Sequence, residues 1–405
     1  FIAVVILGST ALVIARLPDL RSEARLDSLL SREAFFLLNN LVLLGLCLVI
    51  MWGTFFPLIS EALTGTEASV GPPWFDRLTT PLALVLVLLT GIGPVLAWRR
   101  VTPSALGRML RFPLAFTLFV LAALLALTDA SESVPSLAMF TFVAFVLGAV
   151  GQEFWRGTRA RRVMTGESWP RALARLIGRN RRRYGGFLAH VGIAVLFLGV
   201  AASSAFVQQR DVRMSPGDTT KVGDYTVTYL RPTARLGGDS AGTGAPISLG
   251  AVMRVRRGDE TYILHPARNY YSTTDPSKGV ISRFFEGEAN SEVDVRWGLR
   301  RDFWLAIRPD LVSLEGAIAR ADRKFADSPG QVQAVVIRAL AEIYRQDPPP
   351  AAFRAIVSPL VTWIWIGGAI AVFGALLAAW PSPEARLRRV RSLYAARLGR
   401  ELSRA

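Results

Sequence analysis

The chain has 405 residues, of which 51% are hydrophobic, and a formal net charge of +16. Its apolar residues come in long blocks between arginine-rich segments, which excludes one large soluble core and predicts a polytopic membrane protein. Orientation in a membrane explains arginines in short segments better than nucleic-acid binding does, so no nucleic-acid partner is expected. Cys47 is the single cysteine, which excludes an intrachain disulfide and dithiol chemistry.

Six apolar spans are predicted in the first half of the chain. Each is judged against the ~20 residues that a helix needs to cross a hydrocarbon core of ~30 Å. The predicted spans cover 1–15, 34–58, 78–98, 113–128, 137–151 and 186–207. Those at 113–128 and 137–151 are short, so a different tilt or a partly re-entrant course is expected there.

The start of the chain is already apolar. It shows no charged n-region and no cleavage-site pattern, so no signal peptide is predicted. The expectation is instead that this is the later part of a longer protein, or one product of a split gene.

The segments between the spans alternate in charge. Arginines follow the first, third and fifth spans, whereas 60–76 and 129–133 are acidic. The positive-inside rule places the basic segments in the cytoplasm, and it therefore places the polar region after the sixth span outside.

This polar region, 208–356, is predicted to be β-rich, with a helical part near its end. Strands are expected at 221–229, 251–255, 261–265, 292–296 and 303–307, and helices at 314–326 and 330–346. The Gly- and Ser-rich stretch 236–246 is predicted to be a mobile loop.

The predicted fold is therefore an α-helical polytopic membrane protein of about seven spans with an inserted β-rich extracytoplasmic domain. Its domains are a membrane domain at 1–207, a periplasmic domain at 208–356, a last transmembrane helix at 357–380 and a basic cytoplasmic tail at 381–405.

His190 is the candidate with the clearest chemistry, because it lies about one helical turn inside the sixth span. One interpretation is an axial ligand to haem iron. The other is a histidine hydrogen-bonded between helices, and residue type alone does not separate them. His265, in the polar region, is expected to be a surface histidine.

Other features near His190 have two interpretations as well. Arg181, Arg182 and Arg183 suit haem propionates or a lipid-facing topology anchor. The glycines at 185, 186, 192 and 199 leave room for a flat macrocycle or for close helix packing. The aromatic turn at 70–75 suits a binding platform or a structural turn.

Several enzyme classes are excluded by their missing motifs. The sequence contains no Walker A motif, no G-x-S-x-G and no H-E-x-x-H. Few acidic residues lie inside the spans, which argues against ion transport by intramembrane carboxylates.

Six stretches in order resemble the C-terminal half of the cytochrome c-type biogenesis family of CcmF and NrfE. They are Ser31-Arg32-Glu33 with Asn39-Asn40, WGTFFPL at 52–58, VGPPWFD at 70–76, GIGP at 91–94, RYGG at 183–186 with His190, and PLVTWIW at 359–365.

The resemblance implies a haem lyase subunit in a bacterial inner membrane. Such a subunit takes haem from a haem chaperone and, with other maturation subunits, helps join it to apocytochrome c. The family also carries a haem b between two histidines on different helices, and His190 aligns with the second of them as an iron ligand. Arg183 and Tyr184 of the same motif are the further candidate cofactor-binding residues, and no catalytic residue is assigned.

The sequence departs from the family in several places. The tryptophan-rich haem-handling segment and the first intramembrane histidine belong to the family's N-terminal half, so that half, or a split-gene partner, is an expected partner. Asp76 and Trp74 stand where relatives often carry Asn and Tyr, and 314–346 resembles an insertion.

Two alternative functions stay open. One is a non-catalytic scaffold for apocytochrome or maturation partners. The other is a haem transporter, which the few polar residues in the spans disfavour.

Overall fold

The computed structural model describes residues 1–20, 31–93, 102–236, 247–275, 277–287 and 289–381. Some predicted features lie outside these residues: the arginines at 21, 25, 99 and 100, the end of the third span, the loop from 237 and the tail from 382. The chain divides into two compact units. The first contains Phe1–Ala122, Thr141–Val191 and the chain from Gly374, and the second contains Ala123–Phe140 and Gly192–Phe373.

The described residues form helices in both halves of the chain. They are α1 Ile2–Ala15, α2 Leu17–Leu20, α3 Arg32–Thr64, α4 Pro72–Ile92, α5 Pro103–Leu127, α6 Val134–Thr165, α7 Trp169–Arg179, α8 Arg181–Ala205, α9 Ser282–Phe285, α10 Val312–Phe325, α11 Gly330–Gln346 and α12 Thr362–Ala379. Among these residues six helices are long and apolar enough to cross a membrane, namely α3, α4, α5, α6, α8 and α12. The first predicted span forms α1, a shorter apolar helix of 14 residues.

Two predicted spans are longer than expected. The stretches at 113–128 and 137–151 lie in α5 and α6, which have 25 and 32 residues. The apolar run shows which part of a helix lies in lipid, but it does not show where the helix ends. Because arginine is a good helix former, both helices continue through basic residues. They are therefore not short, and α6 ends only before Gly166, whose φ of 66° is left-handed.

The basic segment between the fifth and sixth predicted spans is mostly helical. After α6 ends, α7 follows at once, with Leu173, Leu176 and Ile177 at helical spacing. Glu167 holds the turn between them: it accepts hydrogen bonds from Arg161 Nε at 3.0 Å and from Arg175 Nη1 at 2.5 Å.

The polar region forms two antiparallel sheets. Its strands are β1 Gln208–Met214, β2 Thr219–Val222, β3 Tyr225–Leu236, β4 Ile247–Arg257, β5 Glu260–Leu264, β6 Ala267–Tyr270, β7 Ala289–Glu292, β8 Asp294–Arg296, β9 Arg301–Arg308 and β10 Ala351–Pro359. One sheet has the order β1-β10-β9-β8 and the other β2-β3-β4-β6-β7, with β5 beside β4. The predicted membrane protein with an inserted β-rich domain is confirmed.

Alternation of buried and exposed residues builds the core between the sheets. In β10, Ala351, Phe353, Ala355 and Val357 point inward, and they pack with inward residues of β3, β4 and β9. A second apolar cluster joins β4 and β6 to the predicted helices α10 and α11, through Leu314 and Leu340 among others.

Some predicted strand boundaries differ from the structure. The stretch 221–229 is a hairpin and not one strand, because Gly223, with a φ of 55°, turns the chain between β2 and β3. The stretch 292–296 divides into β7 and β8, which belong to different sheets. The last strand reaches Pro359, past the predicted domain boundary at 356.

The junction of β10 and α12 is held by side chains of the domain. Thr362 Oγ1 donates to the buried carboxylate of Asp302 at 3.2 Å, and Trp363 Nε1 donates to the Leu299 carbonyl at 2.7 Å. Leu360, between strand and helix, has a φ of 56°, an uncommon conformation for a non-glycine residue.

Candidate functional site

A cavity of 1060 Å³ in the first unit contains His190. Its volume is at the upper end of the roughly 300–1,000 Å³ usual for small-molecule sites. Helices α3, α4, α8 and α12 and the segment before α8 contribute its walls. The lining residues are Arg32, Phe35, Phe36, Asn39, Leu89, Thr90, Gly93, Arg179, Asn180, Arg181, Arg182, Arg183, Gly186, Phe187, His190, Ala378, Ala379, Trp380 and Pro381.

One face of α8 points into this cavity. Arg183, Gly186, Phe187 and His190 are spaced by three and four residues, which places them in one row along a helix. Arg183 and His190, two of the candidate residues, therefore lie at the same cavity.

His190 is partly buried, and within the described residues its imidazole makes no hydrogen bond with another protein group. A histidine held between helices would have such a partner, since a polar group in an apolar surrounding is costly without one. The hydrogen-bonded interpretation therefore has no partner group among the described residues, and both interpretations stay predictions. A neutral imidazole without a partner keeps a lone pair available to a metal.

The wall opposite α8 was not predicted as part of a site. On α3, Arg32, Phe35 and Asn39 line the cavity, and their spacing is again that of one helix face. Ser31 fixes the start of this helix, because its hydroxyl accepts from the Ala34 amide at 3.2 Å. The same spacing is readable in the sequence, but only the fold shows that this face meets His190.

Positive charge dominates the lining. Five arginines contribute to it, and among the described lining residues no carboxylate occurs. Arg183 donates from Nη2 to Glu153 Oε2 at 2.6 Å, and its side chain remains 60% exposed. Its guanidinium also lies over the ring of Phe187, 5.4 Å from the centroid. These contacts orient Arg183 and leave donors free for an anion.

Tyr184 does not line the cavity. Its ring is 4% exposed and packs against Phe154 of α6, with centroids 5.2 Å apart. Its hydroxyl occupies the space beside Gly157, where a Cβ would collide with it. Tyr184 therefore packs α8 against α6, and it can affect the cavity only by positioning the residues of α8 beside it.

The glycines of α8 divide between the two predicted roles. In the first unit, a Cβ on Gly185 would lie 2.5 Å from the Ala378 nitrogen of α12. In the second unit, a Cβ on Gly192 would lie 2.6 Å from Ala371 Cα, and one on Gly199 2.9 Å from the Ile364 nitrogen. These three glycines allow close helix packing. Gly186 instead lines the cavity, where an added Cβ would meet no described atom within 4 Å.

The aromatic turn at 70–75 packs against a helix. A Cβ on Gly53 of α3 would lie 2.6 Å from Phe75 and 2.8 Å from Trp74, whose rings meet edge to face at 5.0 Å. These contacts fit the interpretation as a structural turn. His265 is exposed in the β-rich domain, as expected, and its backbone amide donates to Asp294.

The side-chain types around the cavity are those that a haem group needs. An unpartnered imidazole suits iron, arginines suit propionates, and phenylalanines suit the apolar faces of a porphyrin. Among the described residues no group of three or more His, Cys, Asp or Glu side chains could hold a bare metal ion.

No family model matches the chain. It is 30% identical over 379 residues to the cytochrome c-type biogenesis protein CcmF of Pseudomonas aeruginosa, covering 94% of this chain and 48% of that protein. It is 27% identical over 382 residues to CcmF of Escherichia coli, covering 93% and 48%. It is 34% identical over 202 residues to the cytochrome c-type biogenesis protein CycK of Rhizobium meliloti, covering 49% and 29%.

A solved structure, that of the cytochrome c haem lyase CcmF, resembles this fold with a TM-score of 0.53 at 22% identity. The match covers 87% of this chain and 46% of that one. The chain thus spans about half the length of the CcmF proteins that it matches, which agrees with a resemblance to one half of the family's proteins.

Proposed function

We propose that this chain acts in cytochrome c maturation, as the part of a haem lyase that helps transfer haem from a haem chaperone to apocytochrome c. The ground is its similarity, over nearly all of its length, to the CcmF group of cytochrome c-type biogenesis proteins. The observation that supports this most is the similarity over 94% of the chain to CcmF of Pseudomonas aeruginosa.

The cavity around His190 is the site at which we propose that a haem b is held. His190 would ligate the iron, Arg183 and the neighbouring arginines would pair with the propionates, and Phe187 and Phe35 would contact the porphyrin. Tyr184 acts as a positioning residue, since its packing against α6 fixes the rotation of α8. When bound, haem supplies a one-electron redox centre.

A second iron ligand would come from outside this chain. His265, the other histidine, belongs to the β-rich domain and does not line the cavity. The remaining part of the relatives' length, as a separate chain or as the N-terminal half of the same protein, is therefore a proposed partner, together with the haem chaperone, apocytochrome c and other maturation subunits.

The proposed location is the bacterial inner membrane, crossed several times. The apolar helices provide the spans, and the basic segments before α8 are assigned to the cytoplasm by the positive-inside rule. The β-rich domain is then extracytoplasmic, which is the compartment where a haem chaperone and apocytochrome c would meet it.

Replacing His190 with Ala tests the haem site. The complete assembly, this chain together with the remaining half, is purified, and its haem absorbance and its yield of covalent cytochrome c are measured. We expect both to fall to background in His190→Ala and to stay unchanged in the matched control His265→Ala. Added imidazole, which fits the space left by the side chain, should restore part of the haem absorbance.

Two results would contradict the proposal. Unchanged haem content in His190→Ala would remove the ligand role and favour a scaffold that only docks maturation partners. Normal cytochrome c yield in cells that lack this chain would remove the proposed function itself. Equal membrane levels of the variants, measured by immunoblot, exclude a folding defect as the cause.

A further inference from the structure

A second cavity, of 490 Å³, lies in the β-rich domain, far along the chain from His190. The ends of β1, β9 and β10, the neighbouring β6 and β7, and the start of α10 surround it. Its lining residues are Arg213, Arg268, Tyr270, Ala289, Arg308, Pro309, Asp310, Leu311, Val312, Glu315, Pro350 and Ala352.

Strand register brings two of these arginines to one row. Arg213 and Arg308 both pair with Ala352, which lies between them on β10. Residues paired across neighbouring strands share a face of the sheet and are about 5 Å apart, so the two Cα atoms are about 10 Å apart. Ala352, which lies between them, is exposed and has a small side chain.

The three arginines differ in how far they are already paired. Arg213 forms an ion pair with Asp310. Arg268 donates to the Ser291 hydroxyl at 3.1 Å and makes no ion pair with a described residue. Arg308 makes neither a hydrogen bond nor an ion pair with the described residues. Among the described residues, Arg268 and Arg308 therefore have no ion-pair partner, although Glu315 lines the same cavity.

Tyr270 adds a neutral donor at the same place. It is 5% exposed, it lines the cavity, and its hydroxyl has no hydrogen-bond partner among the described residues. Arg268 and Tyr270 are two residues apart on β6 and therefore share a face of the sheet, and both line the cavity together with Arg308. Burial raises the pKa of Tyr270, while the charges of Arg268 and Arg308 act in the opposite direction. The side chain is buried and lines the cavity, so its hydroxyl is available to donate to a ligand there.

We propose that this cavity is a carboxylate-binding site, in which Arg308 and Arg268 form charge-assisted hydrogen bonds to the two oxygens and Tyr270 donates a third. Guanidinium groups match the planar geometry of a carboxylate and can form two parallel hydrogen bonds to it. Glu315 lines the same cavity and opposes an anion, so it limits the affinity. The carboxylate comes from a haem propionate or from the C-terminus of a peptide, and this inference does not depend on the proposed function.

Binding to the purified full chain in detergent tests the site, with four probes. Iron protoporphyrin IX and its dimethyl ester are titrated in a His190→Ala background, which removes the first cavity's ligand. A dansyl-labelled uncharged peptide with a free C-terminus is compared with the same peptide ending in an amide. The variants are Arg308→Gln, Arg268→Gln, Tyr270→Phe and Glu315→Gln, with Arg254→Gln on an exposed part of β4 as the matched control.

We expect Arg308→Gln and Arg268→Gln each to weaken binding of the carboxylate probe about tenfold or more, the usual effect of losing a charge-assisted hydrogen bond. Tyr270→Phe should weaken it less, Glu315→Gln should strengthen it, and Arg254→Gln should leave it unchanged. Loss of binding on esterification identifies a propionate as the source, and loss on amidation identifies a peptide. No saturable binding of either acid, or binding that Arg308→Gln and Arg268→Gln leave intact, would overturn the proposal.

Discussion

Two adjacent glycines of α8, Gly185 and Gly186, are expected to respond in opposite ways to the same substitution. A methyl group on Gly185 would lie 2.5 Å from the nitrogen and 2.9 Å from Cα of Ala378, whereas one on Gly186 would meet no atom within 4 Å. Ordinary contacts between such atoms are about 3.5–4.0 Å. Since the atoms facing Gly185 belong to the backbone, they cannot rotate away, and α8 would have to move from α12 by roughly 1 Å.

Overpacking of this kind costs typically about 1–3 kcal/mol. Gly185→Ala should therefore lower the apparent unfolding midpoint, followed by tryptophan fluorescence of the purified chain in one detergent. Gly186→Ala should keep or slightly raise the midpoint, because alanine loses less backbone entropy than glycine in a helix. Its methyl group enters the cavity, so haem content should fall in this variant although stability does not.

Either of two results would contradict the predicted difference between Gly185→Ala and Gly186→Ala. Equal midpoints for Gly185→Ala and the unchanged chain would show that α8 and α12 are not closely packed there. A loss of stability in Gly186→Ala as large as in Gly185→Ala would show that Gly186 does not face open space.

Two further predictions concern groups outside the spans. The pKa of Glu167 is lowered, first by the hydrogen bond from Arg161. Its stabilisation of the α6–α7 turn is therefore present above the ordinary carboxyl pKa and is lost as pH falls through the lowered pKa. Glu167→Gln should speed amide hydrogen exchange in α7 at pH 7 and make no difference in acid, whereas equal exchange at pH 7 would contradict this prediction. Burial raises the pKa of Tyr229 to about 12, so folding stability is lost as pH rises from ~10 through that value. Tyr229→Phe removes a buried hydroxyl that has no partner among the described residues, so it should be neutral or stabilising at pH 7. It should also reduce the alkaline loss in denaturation midpoints, and a clear destabilisation at pH 7 would argue against this prediction.

The helical part of the site could be predicted where chemistry and helical spacing coincide. Arg183 and His190 are seven residues apart and share a face of α8, as the cavity requires. Tyr184, one position along, is turned by about 100° around the same helix and so faces α6. Two adjacent residues of one motif, Arg183 and Tyr184, therefore face different neighbours because the motif is helical.

Other elements were not readable because their pattern depends on tertiary structure. β1 has only one buried residue, Met214, so it lacks the alternation that indicates a strand, and its pairing with β10 fixes it. Asn39 was noted only as part of a motif, since nothing in the sequence shows which face of α3 meets α8. The glycines at 185 and 186 could not be assigned to packing or to open space until the position of α12 was known.

The pairing of β1 with β10 has a mechanical consequence for the second unit. β1 follows α8 after two residues, β10 leads into α12, and all seven residues of β1 are paired from Gln208↔Val357 to Met214↔Ala351. Axial sliding of one helix past the other would carry the attached strands out of register, and the next pairing that keeps the same residues inward is two residues, about 7 Å, away. Within the second unit, the strand pairing therefore opposes axial sliding of the end of α8 past the start of α12.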